Sequence, residues 1–163
     1  MKIDREFAFL GQEFLLWLFR KSCEDGSFSL EDQGLGEINL SVEETIDLVS
    51  IKGDGYSETI KSSEISELDS VRDSIRLGRL PASAKIRIIK GSLEWFFQLK
   101  TNPFKISSVK LPLTAEKEND EIISLRLNAL TKLDLIMKAL FNAYMIEKEE
   151  KGFVDSMKTF LGL

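Results

Sequence analysis

The chain has 163 residues, of which 43% are hydrophobic and 30% charged, a composition typical of one globular domain and not of a disordered chain. Its 22 Lys and Arg against 27 Asp and Glu give a net charge of −5, which excludes a strongly basic nucleic-acid coat protein. It has no His and a single Cys, which excludes His-based catalytic triads and His-ligated zinc, and predicts a reducing compartment because no internal disulfide can form.

An apolar helical pattern dominates the start of the chain. Large apolar residues recur at helical spacing over residues 7–19, after Asp4 as a candidate N-cap and before Gly26 as a stop. The stretch is shorter than the roughly 20 apolar residues that span a bilayer, and acids precede it where a secretory signal would be basic. We therefore expect a buried helix with Cys23 as a half-buried thiol, no targeting signal or membrane anchor, and a cytoplasmic location.

Short strands follow this helix, because the apolar period changes to that of β-structure. They are predicted around Phe28 and Leu30 and over residues 35–40, 44–52 and 56–60. The Gly53-Asp54-Gly55 sequence between the last two favours a tight hairpin turn. Strands joined in this way pair antiparallel.

A second helix is predicted from its N-cap at Ser63 to its end at Gly78. Acids occupy its first half and arginines its end, the arrangement that the helix dipole favours. Its apolar stripe consists of Ile65, Leu68, Val71 and Ile75, with Leu77 as a further candidate. Pro81 closes the connection to the next strand.

A second hairpin is predicted around Gly91-Ser92, with strands at residues 84–90 and 93–100. The two-residue loop sets the register, which places Ile88 opposite Trp95 and Ile86 opposite Phe97 on one face. The other face of the hairpin then carries Lys85, Arg87, Phe96 and Gln98.

The C-terminal part of the chain is predicted to be extended and then helical. Residues 101–113 form an extended segment with one candidate strand at 105–110, and the acidic run 116–121 opens a long helix that Gly152 ends. A short last helix covers residues 153–161. The stripe of the long helix consists of Ile123, Leu127, Leu130, Leu133, Met137, Leu140 and Tyr144.

A stripe of this length is covered by something, since it exceeds the apolar patch that a monomer exposes. The cover is either the chain's own sheet or another chain, and the spacing fits both. Self-association is therefore expected as one possibility, with the candidate dimerisation residues Leu130, Leu133, Met137, Leu140 and Tyr144.

Together these elements predict an α+β fold. It has an antiparallel sheet of about five short strands, with an N-terminal helix, a mid-chain helix and a long C-terminal helix packed on it. Residues 1–113 form the α+β domain, and residues 114–163 form a helical segment docked on that domain or on a partner subunit.

The sequence contains no pattern typical of a catalytic, metal or cofactor site. It lacks a calcium-loop motif and the glycine-rich phosphate loops. Glu43 and Glu44 are adjacent on a predicted strand, so their carboxylates would point to opposite faces and could not flank one bond. We expect a protein without enzymatic activity, with no cofactor and no small-molecule substrate.

A charge asymmetry suggests a possible nucleic-acid contact. Residues 71–113 contain nine cations and two anions, and Lys85 and Arg87 share a predicted face with Phe96. Such a face could pair with phosphates and stack against bases. An ordinary solvated sheet face is the alternative, and carboxylates capping Lys85 and Arg87 would remove the support for nucleic-acid binding.

The order of elements resembles the C-terminal half of the recombination-associated protein RdgC family, over residues 7–112. The stretches that carry the resemblance are residues 9–18, Ser63-Glu64-Ile65-Ser66-Glu67, Ser74-Ile75-Arg76-Leu77-Gly78-Arg79, Lys85-Ile86-Arg87-Ile88 and Trp95-Phe96-Phe97. Proteins of that family are not enzymes, form ring-shaped dimers and bind double-stranded DNA with little sequence preference.

The resemblance implies a nucleoid-associated protein that binds DNA through its backbone and modulates DNA recombination. Lys61 stands where the family also carries a basic residue. The candidate nucleic-acid-binding residues are Lys61, Arg72, Arg76, Arg79, Lys85, Arg87, Phe96 and Lys100. A non-catalytic interaction or dimerisation module that does not bind nucleic acid is the alternative hypothesis.

Overall fold

A computed structural model describes residues 11–50, 52, 54–63, 69–112 and 119–163. The predicted N-cap Asp4, the start of the mid-chain helix and the acidic run before Asn119 lie outside these residues. The elements in chain order are α1 (Gln12–Glu24), β1 (Ser27–Leu30), a 3₁₀ turn (Glu31–Gln33), β2 (Gly36–Ser50), β3 (Ser57–Lys61), α2 (Asp69–Arg76), β4 (Arg79–Lys90), β5 (Leu93–Thr101), β6 (Phe104–Lys110), α3 (Asn119–Glu149) and α4 (Phe153–Leu161). The predicted α+β class is confirmed.

The described strands form one antiparallel sheet with the order β1-β2-β4-β5-β6, and β3 also pairs with β2. β2 is the longest strand and contacts three others: β1 along its first residues, β3 along its last, and β4 on its other side. The candidate strand near the end of this region is confirmed as β6, and the predicted hairpin before it as β4 and β5. The placement of Pro81 in the connection was wrong, because β4 begins at Arg79 and Pro81 pairs with Leu48 within the sheet.

β2 differs from the prediction, which placed two separate strands at 35–40 and 44–52. Its backbone has a positive φ of 49° at Glu44, and the pairing with β4 shifts register between Glu43 and Ile46. A bulge of this kind bends a strand without ending its ladder. The acids that interrupt the apolar alternation therefore lie within one strand of 15 residues.

The helices pack on one face of the sheet, where the apolar residues of alternate strand positions are buried. α1 is buried on several sides, as its wide apolar stripe predicts. The largest fully buried side chains include Trp17 and Phe14 of α1 and Trp95 and Phe97 of β5. In contrast, Leu77 at the end of the mid-chain helix is 69% exposed, so its assignment to the buried stripe was wrong.

Gly26 ends the connection after α1, and its position admits no side chain. Its φ is +67°, and a Cβ there would overlap the carbonyl oxygen of Leu40. The close approach exists because the Leu40 N–H donates to the Gly26 carbonyl at 2.7 Å. This contact fixes how α1 enters the sheet.

Polar contacts fasten α1 to the second half of α3. The Glu147 carboxylate accepts the indole N–H of Trp17 at 3.1 Å and pairs with Lys21 at 3.0 Å. The next residue of α3, Lys148, pairs at 2.7 Å with Glu13, which lies one turn before Trp17 on α1. Within the described part of the chain, no helix combines the length and apolarity needed to cross a bilayer.

Candidate functional site

The outer face of the β4–β5 hairpin has the predicted composition. The loop is Gly91-Ser92, and the observed pairs confirm the predicted register: Ile88 with Trp95, Ile86 with Phe97, Arg87 with Phe96, and Lys85 with Gln98. The apolar pairs face the helices and are buried, whereas Lys85, Arg87, Phe96 and Gln98 are half-buried on the opposite face. The structure therefore brings together the residues on which the nucleic-acid hypothesis depends.

Neighbouring carboxylates cap both cations of this face. The Lys85 ammonium pairs with Glu44, and the Arg87 guanidinium pairs with Glu94 and lies 3.8 Å from Glu43. The hydrogen bond from Lys85 is the main cause of the lowered pKa of the Glu44 carboxyl. A phosphate could bind Lys85 or Arg87 only by displacing these acids. The capping by carboxylates that removes the support for nucleic-acid binding is therefore present at both residues.

The remaining nucleic-acid candidates do not form one free cationic surface. Phe96 lies 5.5 Å from the guanidinium of Arg87, ring centroid to carbon. Lys61 and Lys100 are exposed and have no ion pair within the described residues. The three arginines near α2 are each paired: Arg72 with Asp69 at 3.9 Å, Arg76 with Asp73 at 2.6 Å, and Arg79 with Glu58 at 2.7 Å.

Four of the five candidate dimerisation residues lie in the core of this chain. Leu133, Met137, Leu140 and Tyr144 are at most 3% exposed, and Leu130 is half-buried. The sequence left two alternatives for what packs on this stripe, the chain's own sheet or another chain. For this part of α3, the chain itself buries the stripe. These four side chains are not available to a second copy in this fold.

The first half of α3 behaves differently, and we call residues 121–132 the overhang. None of its side chains is buried, although it carries five large aliphatic residues. Ile123 and Leu127 are 58% and 60% exposed, and the half-buried ones are Ile122, Leu125 and Leu130. The overhang therefore extends past the core that buries the rest of the helix.

Among the described residues, one hydrogen bond joins the overhang to the sheet. The indole N–H of Trp95, itself fully buried, donates to the backbone carbonyl of Ala129 at 3.1 Å. The first fully buried residue of α3, Leu133, follows one turn later. This bond marks where the helix leaves the core.

An open cleft of about 1120 Å³ separates the overhang from the end of the β4–β5 hairpin and from β6. Its apolar lining comes from both sides: Leu93, Phe96, Val109, Leu111, Ile122 and Leu125. Three cations also line it, Lys110 from β6 and Arg126 and Lys132 from the overhang. None of the three has an ion pair with another described residue, and the one acid of the lining, Glu94, is held by Arg87.

The sequence contained a signal for this cleft that the stripe argument did not use. Five large aliphatic residues within positions 122–130 are more than one buried helix face requires, because Ile122 and Ile123 point in directions about 100° apart. A helix that is apolar on two sides is expected to pack against two different surfaces. Along the overhang, the described residues of the chain bury neither side completely.

The described residues contain no group of three or more acidic or Cys side chains arranged to hold a metal ion. No protein-family model and no curated protein matches the chain. The resemblance to the RdgC family and the DNA binding that it implies therefore stay predictions, and the geometry of the molecule carries the functional argument.

Proposed function

We propose that the protein is a non-catalytic protein-interaction module that binds a partner protein through the overhang of α3. The observation that carries the proposal is the overhang itself: twelve helical residues without a buried side chain, five of them large and aliphatic. Ile123 and Leu127 are both exposed and lie four residues apart, so their side chains are neighbours on the helix surface. Exposed apolar patches are typical of interaction sites. The single Cys favours a cytoplasmic location.

The energetics favour a partner on this surface. Burial of one Leu or Ile side chain contributes about 1.5–3 kcal/mol. Ile123 and Leu127 each have more than half of their surface left to bury. The backbone is already helical there, so a partner does not have to order this side of the interface.

DNA binding is the weaker candidate for the same molecule. It needs free cations, since counterion release by phosphate contacts supplies most of the affinity of a sequence-independent binder. The two cations of the hairpin face, Lys85 and Arg87, are engaged by acids instead. We therefore favour the protein-interaction function.

Position-specific photo-cross-linking in living cells tests the proposal with the full-length chain. A benzoylphenylalanine at position 127 is expected to give a discrete adduct of constant mass, because this position faces the bound partner. The matched control places the same group at position 146, on the same helix, where Ile146 is 65% exposed. No discrete adduct is expected there.

A second substitution separates binding from chance proximity. Ile123→Glu is expected to abolish the adduct at position 127, while circular dichroism and the unfolding midpoint stay unchanged, since Ile123 is exposed. The proposal is wrong if position 127 gives no adduct, if both positions give the same adducts, or if the adduct persists in the Ile123→Glu variant.

A further inference from the structure

The cleft beside the overhang combines an apolar lining with unpaired positive charge. Ile122 and Leu125 of the overhang line it together with Leu93 and Val109 of the sheet. Its volume of about 1120 Å³ exceeds the range of about 300–1,000 Å³ typical of small-molecule sites. A segment of a macromolecule therefore fits the cleft better than a small ligand.

The charges that line the cleft indicate which kind of macromolecular segment would bind there. Lys110, Arg126 and Lys132 form no ion pair with another described residue, although the charge of Lys110 contributes to the lowered pKa of Glu44. The one acid of the cleft lining, Glu94, is already paired with Arg87. Complementary potential steers association and suppresses wrong partners, so an occupant should bring carboxylates to this rim and apolar side chains to the lining.

We infer that the cleft between the overhang and the β5–β6 edge binds an acidic amphipathic helix of another protein. The inference rests on the proposed function and names the partner chemistry. The overhang is about 18 Å long at 1.5 Å per residue, which matches roughly three turns of a helix packed alongside it. The apolar stripe of that helix contacts the lining, and its flanking carboxylates pair with the three cations.

Other occupants fit the cleft less well. A second copy of the chain docking its own overhang there would bring another Arg126 and Lys132 to a rim that already carries these charges. Duplex DNA would leave the apolar lining uncovered, since its outer surface is phosphate and sugar. A flat lipid surface would not reach the lining of a concave site, where Ile122 and Leu125 lie.

Two synthetic helical peptides test the inference on the full-length protein. Both carry the same leucine stripe at i, i+4, i+7 and i+11, and the flanking positions are Glu in one and Lys in the other. The Glu peptide is expected to bind at least about tenfold more tightly at low salt, because three exposed ion pairs each contribute modestly. This advantage should shrink as salt is added.

Charge reversal in the protein tests whether the preference for the Glu peptide arises at the cleft. The double variant Arg126→Glu and Lys132→Glu is expected to invert the order of the two peptides. Lys158→Glu, an exposed lysine on α4, is the matched control and should leave the order unchanged. Binding is measured by fluorescence anisotropy of labelled peptides, with circular dichroism as the check on folding.

Several outcomes overturn the inference. They are equal affinity for the two peptides, no binding of either, preference for the Lys peptide, or an order that the double variant leaves unchanged. A dimer in sedimentation that the double variant dissolves would assign the cleft to a second copy, and tighter binding of duplex DNA or anionic vesicles through Arg126 and Lys132 would assign it to those. A discrete adduct at position 127, which lies outside the cleft lining, together with no binding of the Glu peptide leaves the proposed function standing and rejects the acidic helix.

Discussion

Alanine substitutions at Leu133 and Leu127 should differ sharply in cost, although both residues belong to one apolar stripe of α3. Leu133 is fully buried, and Leu→Ala at such a site typically lowers the free energy of unfolding by about 2–5 kcal/mol, since a cavity adds to the lost transfer energy. Leu127 buries about two-fifths of its surface. Full burial of Leu contributes about 1.5–3 kcal/mol, so its replacement should cost about 1 kcal/mol or less, and the higher helix propensity of Ala offsets part of that.

Chemical denaturation of the purified chain measures both costs as shifts in midpoint at constant slope. Ile146→Ala is the matched control, because Ile146 lies on the same helix and is 65% exposed. It should behave like Leu127→Ala. A loss above about 2 kcal/mol for Leu127→Ala would mean that the overhang packs on the chain's own core, and a loss below about 1 kcal/mol for Leu133→Ala would refute the placement of the core boundary.

Three further predictions concern the polar contacts. Glu147→Gln should lower the free energy of unfolding by about 1 kcal/mol, because it removes half-buried ion pairs with α1. The control in the same urea titration is Glu149→Gln, at an exposed position of the same helix. An equal effect of the two substitutions would contradict the role of the Glu147 contact. The pKa of Glu13 is lowered, chiefly by the hydrogen bond from Lys148, so its stabilisation is present above the unfolded-state pKa and lost as the pH falls through the folded-state value. Stability measured from about pH 5 down to pH 3 should therefore fall more in the wild type than in Glu13→Gln, and parallel curves would argue against that linkage. Because Arg87 is already paired with acids, Arg87→Gln should not change the salt dependence of any duplex binding, and a log–log slope reduced by about 0.9 would restore the DNA hypothesis.

The hairpin of β4 and β5 shows what short-range sequence signals can establish. A two-residue Gly-Ser loop fixes the register, and the register fixes which side chains share a face. Ile86 and Ile88 were thereby placed on the buried face with their correct partners. The prediction succeeded because loop and strands are contiguous, so no distant part of the chain could alter it.

The capping of Lys85 by Glu44 was not predictable in the same way. The two residues are 41 positions apart, and their contact depends on the long-range pairing of β2 with β4 and on the bulge in β2. Arg87 and Glu94 are different, because the predicted register already placed Glu94 opposite Ile89, diagonal to Arg87. The pairing of Arg87 with Glu94 could therefore be predicted from the sequence.

The extent of the overhang was also hidden from the helical period. The 3-and-4 spacing continues without change from Ile123 to Tyr144, yet burial begins only at Leu133. Periodicity reports which side of a helix is apolar and does not report how far the neighbouring sheet extends. The identity of the proposed partner-binding surface therefore depended on tertiary structure.

The bond from Trp95 to Ala129 ties the outer wall of the cleft to the centre of the sheet. The indole N–H of this buried tryptophan donates to the backbone carbonyl at the point where the helix leaves the core. The distance between the two walls of the cleft is therefore set in part by Trp95, a side chain that is absent from the cleft lining.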